Sequence, residues 1–337
     1  MSINICIFGV SGYTGSTLLK LLSKHKKVNL VGVFGSSNVG KKIKDLFPNL
    51  LNLPDIEIIN YKNFDFEKTN LIFSCLPHGK FQKDVFPNLN YKNSIIDLSG
   101  DFRLEIKSEY EKFYKCKHTY FSQKKHFVYG LTEINRKEIT TSKFIANPGC
   151  YPTSILVPLI PLFKKRIKLQ THIVVDSKSG VSGAGKVLNE QNLFSELTNN
   201  FFSYGIGDHK HYPEILQEIR KENSNVSLTF IPHLLPVFSG IQSNIYIDSK
   251  IITPDEALDI LNNFYYNESF IKISKNKIPK LSEVQNTNNV NIGVFSDISK
   301  KQTVIISMID NLVKGAAGQA IQNMNLMFGF DESESLM

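Results

Sequence analysis

Residues 3–8 form a short run of β-branched and aromatic residues, and residues 15–25 place Leu18, Leu19, Leu21 and Leu22 along one helical face. Between them lies Gly9-Val10-Ser11-Gly12-Tyr13-Thr14-Gly15. A strand that turns straight into a helix through three glycines constrains this chain more than any other feature. Glycines permit the tight turn and let the backbone approach a pyrophosphate, whose charge then meets the helix N-terminus. The spacing is GxxGxxG, not the strict GxGxxG fingerprint, so an ordinary glycine-rich turn competes. The position after a strand and before a helix favours a dinucleotide site made by Gly9, Ser11, Gly12, Tyr13, Thr14 and Gly15.

Further short strands are expected at residues 28–34, 56–59, 71–75 and 94–98, alternating with helical stretches. That alternation predicts an α/β fold with an N-terminal Rossmann-type domain, a parallel sheet covered on both faces. After Pro148 the pattern changes. A helix begins near Tyr151, longer strands are expected at 171–179, 225–232 and 242–248, and Thr253 is placed to cap a helix over 254–265. This second part reads as an α+β substrate and catalytic domain. At roughly 150 residues per domain, 337 residues make about two. The asparagine-rich segment 286–291 reads as a surface connection.

Composition removes several classes. With 42% hydrophobic and 21% charged residues the chain is neither disordered nor collagen-like. The longest apolar stretch, 155–163, is broken by Pro158 and Pro161 and is about half of the ~20 residues a membrane span needs. The start, Met1-Ser2-Ile3-Asn4-Ile5-Cys6, lacks the positive charge of a secretory signal. Cys6, Cys75, Cys116 and Cys150 are scattered without zinc spacing, so reduced thiols in a cytoplasmic protein are expected. A net charge of +8 invites an anionic partner, but clustered Lys/Arg interleaved with aromatics is missing, which argues against nucleic acid.

An NAD site usually carries an acidic residue at the end of the second strand. Here that strand runs into Gly35-Ser36-Ser37, followed by Lys41 and Lys42. Hydroxyls from Ser36 and Ser37 and the charge of Lys41 favour NADP. Solvated surface lysines are the plain alternative.

Cys150, in Asn147-Pro148-Gly149-Cys150-Tyr151-Pro152-Thr153, falls where a strand ends and a helix starts. The helix dipole favours a thiolate there, the state a nucleophilic cysteine needs. Cys6 and Cys75 lie within strands and read as small buried hydrophobes, and Cys116 has no evident partner. His209 and His211, in His209-Lys210-His211-Tyr212-Pro213-Glu214, lack a third ligand cluster, so acid/base work is favoured over metal binding. The spacing does not say which histidine acts. His78 and His233 read as positional or structural. The small residues of 179–186, with Ser182, Gly183 and Lys186, could expose backbone donors to an anion or be a flexible loop. The segment from Asp310 and Asn311 to Gln319 opens a helix whose small residues suit close approach to a cofactor or simple tight packing.

Taken together these motifs are recognisable. GVSGYTG (9–15), LPHG (76–79), DLSGDFR (97–103), ANPGCYPTS (146–154), SGVSGAGK (179–186), HKHYPEI (209–215), PHLLPVFSGI (232–241) and DNLVKGAAGQAIQNMN (310–325) occur in family order. The chain resembles the N-acetyl-gamma-glutamyl-phosphate reductases of arginine biosynthesis, relatives of the aspartate-semialdehyde dehydrogenases. The resemblance implies an NADP-dependent acyl-phosphate reductase with Cys150 as nucleophile and an acid/base histidine in the HxHxPE segment. It also implies a homo-oligomer, dimer or tetramer, acting on a small molecule. The C-terminal helix is expected to return to the first domain, giving 1–148 plus 310–337 for NADP and 149–309 for catalysis. Lys186 stands where Arg is common in the family, Ser239 where an Arg often precedes Gly240, and Thr132 where a proline is usual. The alternatives are reductases of aspartyl phosphate or carrier-linked aminoadipyl phosphate and, more distantly, a non-catalytic NADP sensor.

Overall fold

The computed structural model describes residues 2–36, 38–50, 52–89, 92–167, 171–186, 189–275 and 277–337. The chain divides into two compact units, one of residues 1–148 with 316–337 and one of residues 149–315.

In the first unit the elements follow one another as β1 (Ile3–Phe8), α1 (Tyr13–Leu22), β2 (Val28–Phe34), α2 (Ile43–Leu46), β3 (Ile58–Ile59), β4 (Leu71–Ser74), β5 (Ser94–Asp97), α3 (Lys107–Tyr114), β6 (Phe127–Tyr129), α4 (Arg136–Thr141) and β7 (Phe144–Ala146). The strands form one sheet in the order β3-β2-β1-β4-β5-β7-β6. Every pairing is parallel. Ile5, Ile7, Ile72, Phe73, Ile95 and Ile96 are wholly or almost wholly buried, as continuous apolar runs require when both faces are covered. The order reverses at β1, so the loop leaving its carboxyl end lies at the topological switch point, where open α/β sheets bind ligands. The expected strands 56–59, 71–75 and 94–98 are shorter in the structure, and the three-residue β6 and β7 have no counterpart in the sequence reading.

Helix α9 (Gly318–Met327) completes this unit through buried amides. Thr132 Oγ1 donates to Asn323 Oδ1 (2.8 Å), Asn323 Nδ2 to Gly130 O (2.8 Å), and Gln322 Nε2 to Glu133 Oε1 (2.9 Å). Asn325 Oδ1 lies 2.9 Å from His25 Nε2. The return begins at Ala316, later than the expected 310, because Asp310 and Asn311 are tied to Ser239 and Gly240 of the second unit.

The second unit contains α5 (Cys150–Lys165), β8 (Thr171–Gly180), α6 (Phe194–Leu197), β9 (Phe202–Ser203), α7 (His211–Arg220), β10 (Val226–Leu235), β11 (Ile241–Asp248), α8 (Pro254–Phe264), β12 (Ile271–Ser274), β13 (Val290–Ser296) and β14 (Gln302–Ile309). Its mixed sheet has the order β12-β13-β14-β11-β8-β10-β9. Burial alternates along β8, β10 and β11, the mark of a sheet with one packed face. Helix α5 packs against β11, β14, α7 and α8. It continues through Pro158 and Pro161. Pro161 has no N–H for Val157 O, and Tyr265 Oη donates to that carbonyl instead, at 2.6 Å. The cap expected from Thr253 forms, as a capping box with Glu256, and starts α8. Segment 286–291 is only in part the surface connection expected: Asn286 is exposed on a turn, but the rest is drawn in. Asn288 is buried, Asn286 N donates to Asp310 Oδ2 (2.7 Å), and Val290 opens β13.

At the end of β5, Asp97 is fully buried. Its Oδ1 accepts the Ser99 N–H at 3.0 Å, while Oδ2 has no hydrogen-bond partner among the described residues. Burial, reinforced by the Asp101 charge and opposed by Arg103, raises its pKa from 3.8 to about 7. The folded state therefore keeps a proton that the unfolded chain releases above about pH 4, and stability falls as pH rises from there through about pH 7. Asp97→Asn should unfold at a higher temperature than the native chain at about pH 8 and lose most of that advantage at about pH 5. Thermal unfolding at the two pH values checks this.

Candidate active site

In the first unit, the loop between β1 and α1 is shaped by its glycines. Gly9 has φ +81°, and a side chain there would lie 2.7 Å from Cys75 O. A Cβ on Gly15 would meet Gly9 O at 2.3 Å. Gly12, the N-cap of α1, is different, because a Cβ there would meet only Gly9 O, at 3.6 Å. The N-cap Gly12 has no side chain to cap α1, and the helix's first bond runs from Ser16 N to Gly12 O (2.9 Å). Glycine thus leaves room over the first turn of the helix, and the loop fits a dinucleotide pyrophosphate. Ser11, Tyr13 and Thr14 lie on it, half-buried. Ser36 and Lys41, beyond β2, are exposed; Ser37 lies outside the described residues. Lys42 is paired with Asp55 at 3.1 Å, whereas Lys41 has no carboxylate partner among the described residues.

The second unit carries the cysteine and the two histidines singled out in the sequence. Cys150 is the first residue of α5, and Gly149 is its N-cap. Pro152 has no N–H, and Thr153 N is bonded to Gly149 O (2.9 Å). The first-turn donors with no acceptor within the helix are therefore those of Cys150 and Tyr151, beside the sulfur. The fully buried Glu214 on α7 accepts the Gly149 N–H through Oε1 at 2.8 Å. His211, the first residue of α7, presses Nε2 so close to Gly149 that a Cβ on Gly149 would lie 2.5 Å away. From the other side, a Cβ on Gly315 would lie 2.7 Å from Cys150 Cβ. Two glycines thus make room for one imidazole and one thiol.

His209 sits behind His211. Their ring centroids are 4.9 Å apart, and His209 Nδ1 accepts the His211 backbone N–H at 3.1 Å. Tyr151, Tyr204 and Phe230 each pack edge-on against His209 at 5.5 Å. Burial, with Lys210 adding to it, holds the His209 pKa down to about 3, so the ring is neutral. With Nδ1 accepting, its proton resides on Nε2. Tyr204 Oη lies 3.2 Å from Tyr151 Oη, and burial pushes the Tyr204 pKa up to about 12, the Cys150 thiolate adding to the rise.

The other expected residues separate by role. Burial drives the Cys6 thiol up to about 11 and the Cys75 thiol higher, which leaves both inert. Cys116 Sγ lies 3.4 Å from Tyr110 Oη. His233 is positional, with Nδ1 3.1 Å from Asp176 Oδ1 and its carbonyl accepting from Tyr151 Oη. Ser182 is buried and accepts from Asn311 Nδ2 at 3.0 Å, while Asn311 Oδ1 accepts the Gly240 N–H at 2.7 Å. Asn311 thus ties two loops together with its whole amide; Gly183 is exposed beside it, and Lys186 is exposed further along the loop. Ser239 gives its hydroxyl to Asp310 Oδ2 at 3.2 Å.

A dinucleotide loop in one unit, and in the other a cysteine at a helix mouth flanked by histidine, agree with the family models that match the chain. Residues 4–142 match the NAD binding domain of semialdehyde dehydrogenase, and residues 150–311 its dimerisation domain. The chain belongs to the semialdehyde dehydrogenase family. It is an oxidoreductase family whose first domain binds a nicotinamide dinucleotide. Among relatives, the N-acetyl-gamma-glutamyl-phosphate reductase of Methanosphaera stadtmanae is 42% identical over 99% of this chain and 97% of its own. That of Campylobacter jejuni is 40% identical over 100% and 98%. A probable chloroplastic N-acetyl-gamma-glutamyl-phosphate reductase of Arabidopsis thaliana is 39% identical over 99% and 84%. Aspartate semialdehyde dehydrogenase II of Vibrio cholerae shares the fold, with a TM-score of 0.75 at 18% identity, covering 98% of this chain and 99% of that one. Among the described residues no helix is long and apolar enough to cross a membrane.

Sequence reasoning missed Glu214 and Tyr204. Glu214 had a usable signal, since an acid three residues after His211 shares its face in the first turn of a helix. Tyr204 had none. Gly149→Ala should leave the family fold intact yet lower turnover by about 100-fold, because the methyl displaces an imidazole that tolerates little misplacement. Steady-state rates beside circular dichroism check this.

Proposed function

We propose that this semialdehyde dehydrogenase reduces N-acetyl-gamma-glutamyl phosphate to N-acetylglutamate semialdehyde and phosphate with NADPH, a step of arginine biosynthesis. The observation that carries the chemistry is Cys150 at the mouth of α5, with His211 packed on the glycine before it. The substrate rests on relatives of that name at about 40% identity over nearly the whole chain.

The Cys150 thiolate attacks the γ-acyl carbon, the bond to the phosphate oxygen breaks, and a thioester remains. Dividing the reaction at a covalent intermediate replaces one hard step with two easier ones. NADPH, when bound, supplies the hydride that reduces the thioester carbon. His211 gives a proton to the oxygen as negative charge develops on it and takes the proton back as the thiohemiacetal collapses, expelling the Cys150 thiolate. The N–H groups of Cys150 and Tyr151 are the donors we assign to that oxygen. His209 is neutral at working pH and commits Nδ1 to the His211 amide, so it holds His211 in place.

For the cofactor, we assign Gly9, Ser11, Gly12, Tyr13, Thr14 and Gly15 to the pyrophosphate, and Ser36, Ser37 and Lys41 to the 2′-phosphate. Ser182 and Gly183 remain in the cofactor-binding proposal, with Asn311 fixing their loop. The absence of any carboxylate between residues 35 and 42 supports NADP over NAD. We also propose a homo-oligomer, dimer or tetramer, assembled through the second unit.

Purified protein given phosphate and NADP⁺ should oxidise N-acetylglutamate semialdehyde much faster than aspartate or aminoadipate semialdehyde. Preference for either rival moves the substrate assignment, and binding of NADP without turnover of any of them turns the chain into a sensor. Cys150→Ser should fold and lose turnover; a fully active variant would refute the thioester route. His211→Asn should cost about 100-fold or more in kcat and His209→Asn clearly less. Equal losses would undo the division of roles.

A further inference from the structure

Beneath the first turn of α5, four polar groups form an unbroken chain through the apolar side of the sheet. Ser154 Oγ donates to Tyr151 O at 2.9 Å. Ser154 Oγ lies 2.7 Å from Ser243 Oγ on β11, which lies 2.7 Å from Ser177 Oγ on β8. All three serines have no solvent exposure.

Each hydroxyl has one proton, and that fixes the direction of the chain. A carbonyl can only accept, so the Ser154 proton is spent on Tyr151 O. Ser154 must then accept from Ser243, and Ser243 from Ser177. The hydroxyl dipoles all point the same way, towards the turn that begins with Cys150, and bonds in series polarise one another in a low-dielectric interior. We propose that Ser177, Ser243 and Ser154 form a positioning row for the nucleophile, a one-way hydroxyl chain anchoring the first turn of α5 to the sheet and so fixing Cys150 beneath its helix donors. The proposal rests on the reading of Cys150 as the nucleophile, but it concerns the state of the sulfur and can be read without turnover.

Ser307 supplies an internal control. It faces Ser243 across the β11–β14 ladder, as Ser177 does across β8, and it is equally buried. Its hydroxyl has no hydrogen-bond partner among the described residues. Serine chosen only for its small size would give all three strand positions the same weight, whereas the chain gives weight to Ser177 and Ser243 alone.

The test is the pH dependence of Cys150 alkylation by iodoacetamide in the full-length protein, followed by mass spectrometry of the Cys150 peptide. Ser243→Ala keeps the volume and breaks both links. Its Cys150 midpoint should rise by about 0.5 pH unit, and kcat should fall about threefold at a pH below that midpoint, with KM little changed. Ser177→Ala removes only the end donor and should shift the midpoint less, in the same sense; it also serves if Ser243→Ala does not fold. Ser307→Ala should leave the midpoint where it is. Unchanged midpoints in Ser243→Ala and Ser177→Ala, with only lower melting temperatures, would reduce the row to packing. An equal shift in Ser307→Ala would also overturn the proposal. Since alkylation reports the sulfur alone, an active Cys150→Ser variant would refute the thioester route without moving these midpoints.

Discussion

The second unit depends on one hydrogen bond made where α5 begins. The Gly149 N–H would otherwise be an unsatisfied donor at a buried helix start, and the Glu214 carboxylate takes it at 2.8 Å. Because Glu214 stands one turn along α7 from His211, the bond also sets where the imidazole falls relative to the thiol. Helix start, imidazole and thiol are thereby located by a single contact between two helices. Any residue but proline could donate that bond, but only glycine is thin enough there to admit the ring.

A physical division of labour follows around the two histidines. His209 is walled in by Tyr151, Tyr204 and Phe230, and the cost of charging it there keeps it neutral over any ordinary working range. A ring that does not titrate makes a fixed acceptor, and it spends that property on the backbone of its neighbour. Adjacent histidines in one short motif therefore do unlike work, and what separates them is what surrounds each ring.

Much of this was legible in the sequence where the signal is local. The strand–glycine–helix start, the α/β alternation, the helix after Gly149 and the cap at Thr253 are each written within a dozen residues. The three-residue β6 and β7 escaped because such short strands carry no period, and they are held by neighbours in the sheet. Segment 286–291 misled because its asparagines look solvated, yet the Asn286 backbone bond to Asp310 and the bond of the preceding Gln285 to Ser239 draw it inward. In the site, Cys150 and the histidine pair announced themselves through contiguous motifs. Glu214 lies 65 residues from the amide it caps, and Ser243 lies 89 from Ser154. Nothing in a linear reading joins such pairs, since only the sheet register and the packing of α5 bring them together.

The return of the chain's last segment to the first unit has a consequence for how the protein is made. Helix α9 supplies Gln322, Asn323 and Asn325, whose amides hydrogen-bond to Glu133, Gly130, Thr132 and His25. These groups are synthesised some 200 to 300 residues earlier, and their partners leave the ribosome only after the whole middle segment. The middle segment, 149–315, is by contrast continuous and can close its own sheet first. During translation, the first unit is therefore completed only after the second has emerged, and its buried polar groups go without these partners for that interval.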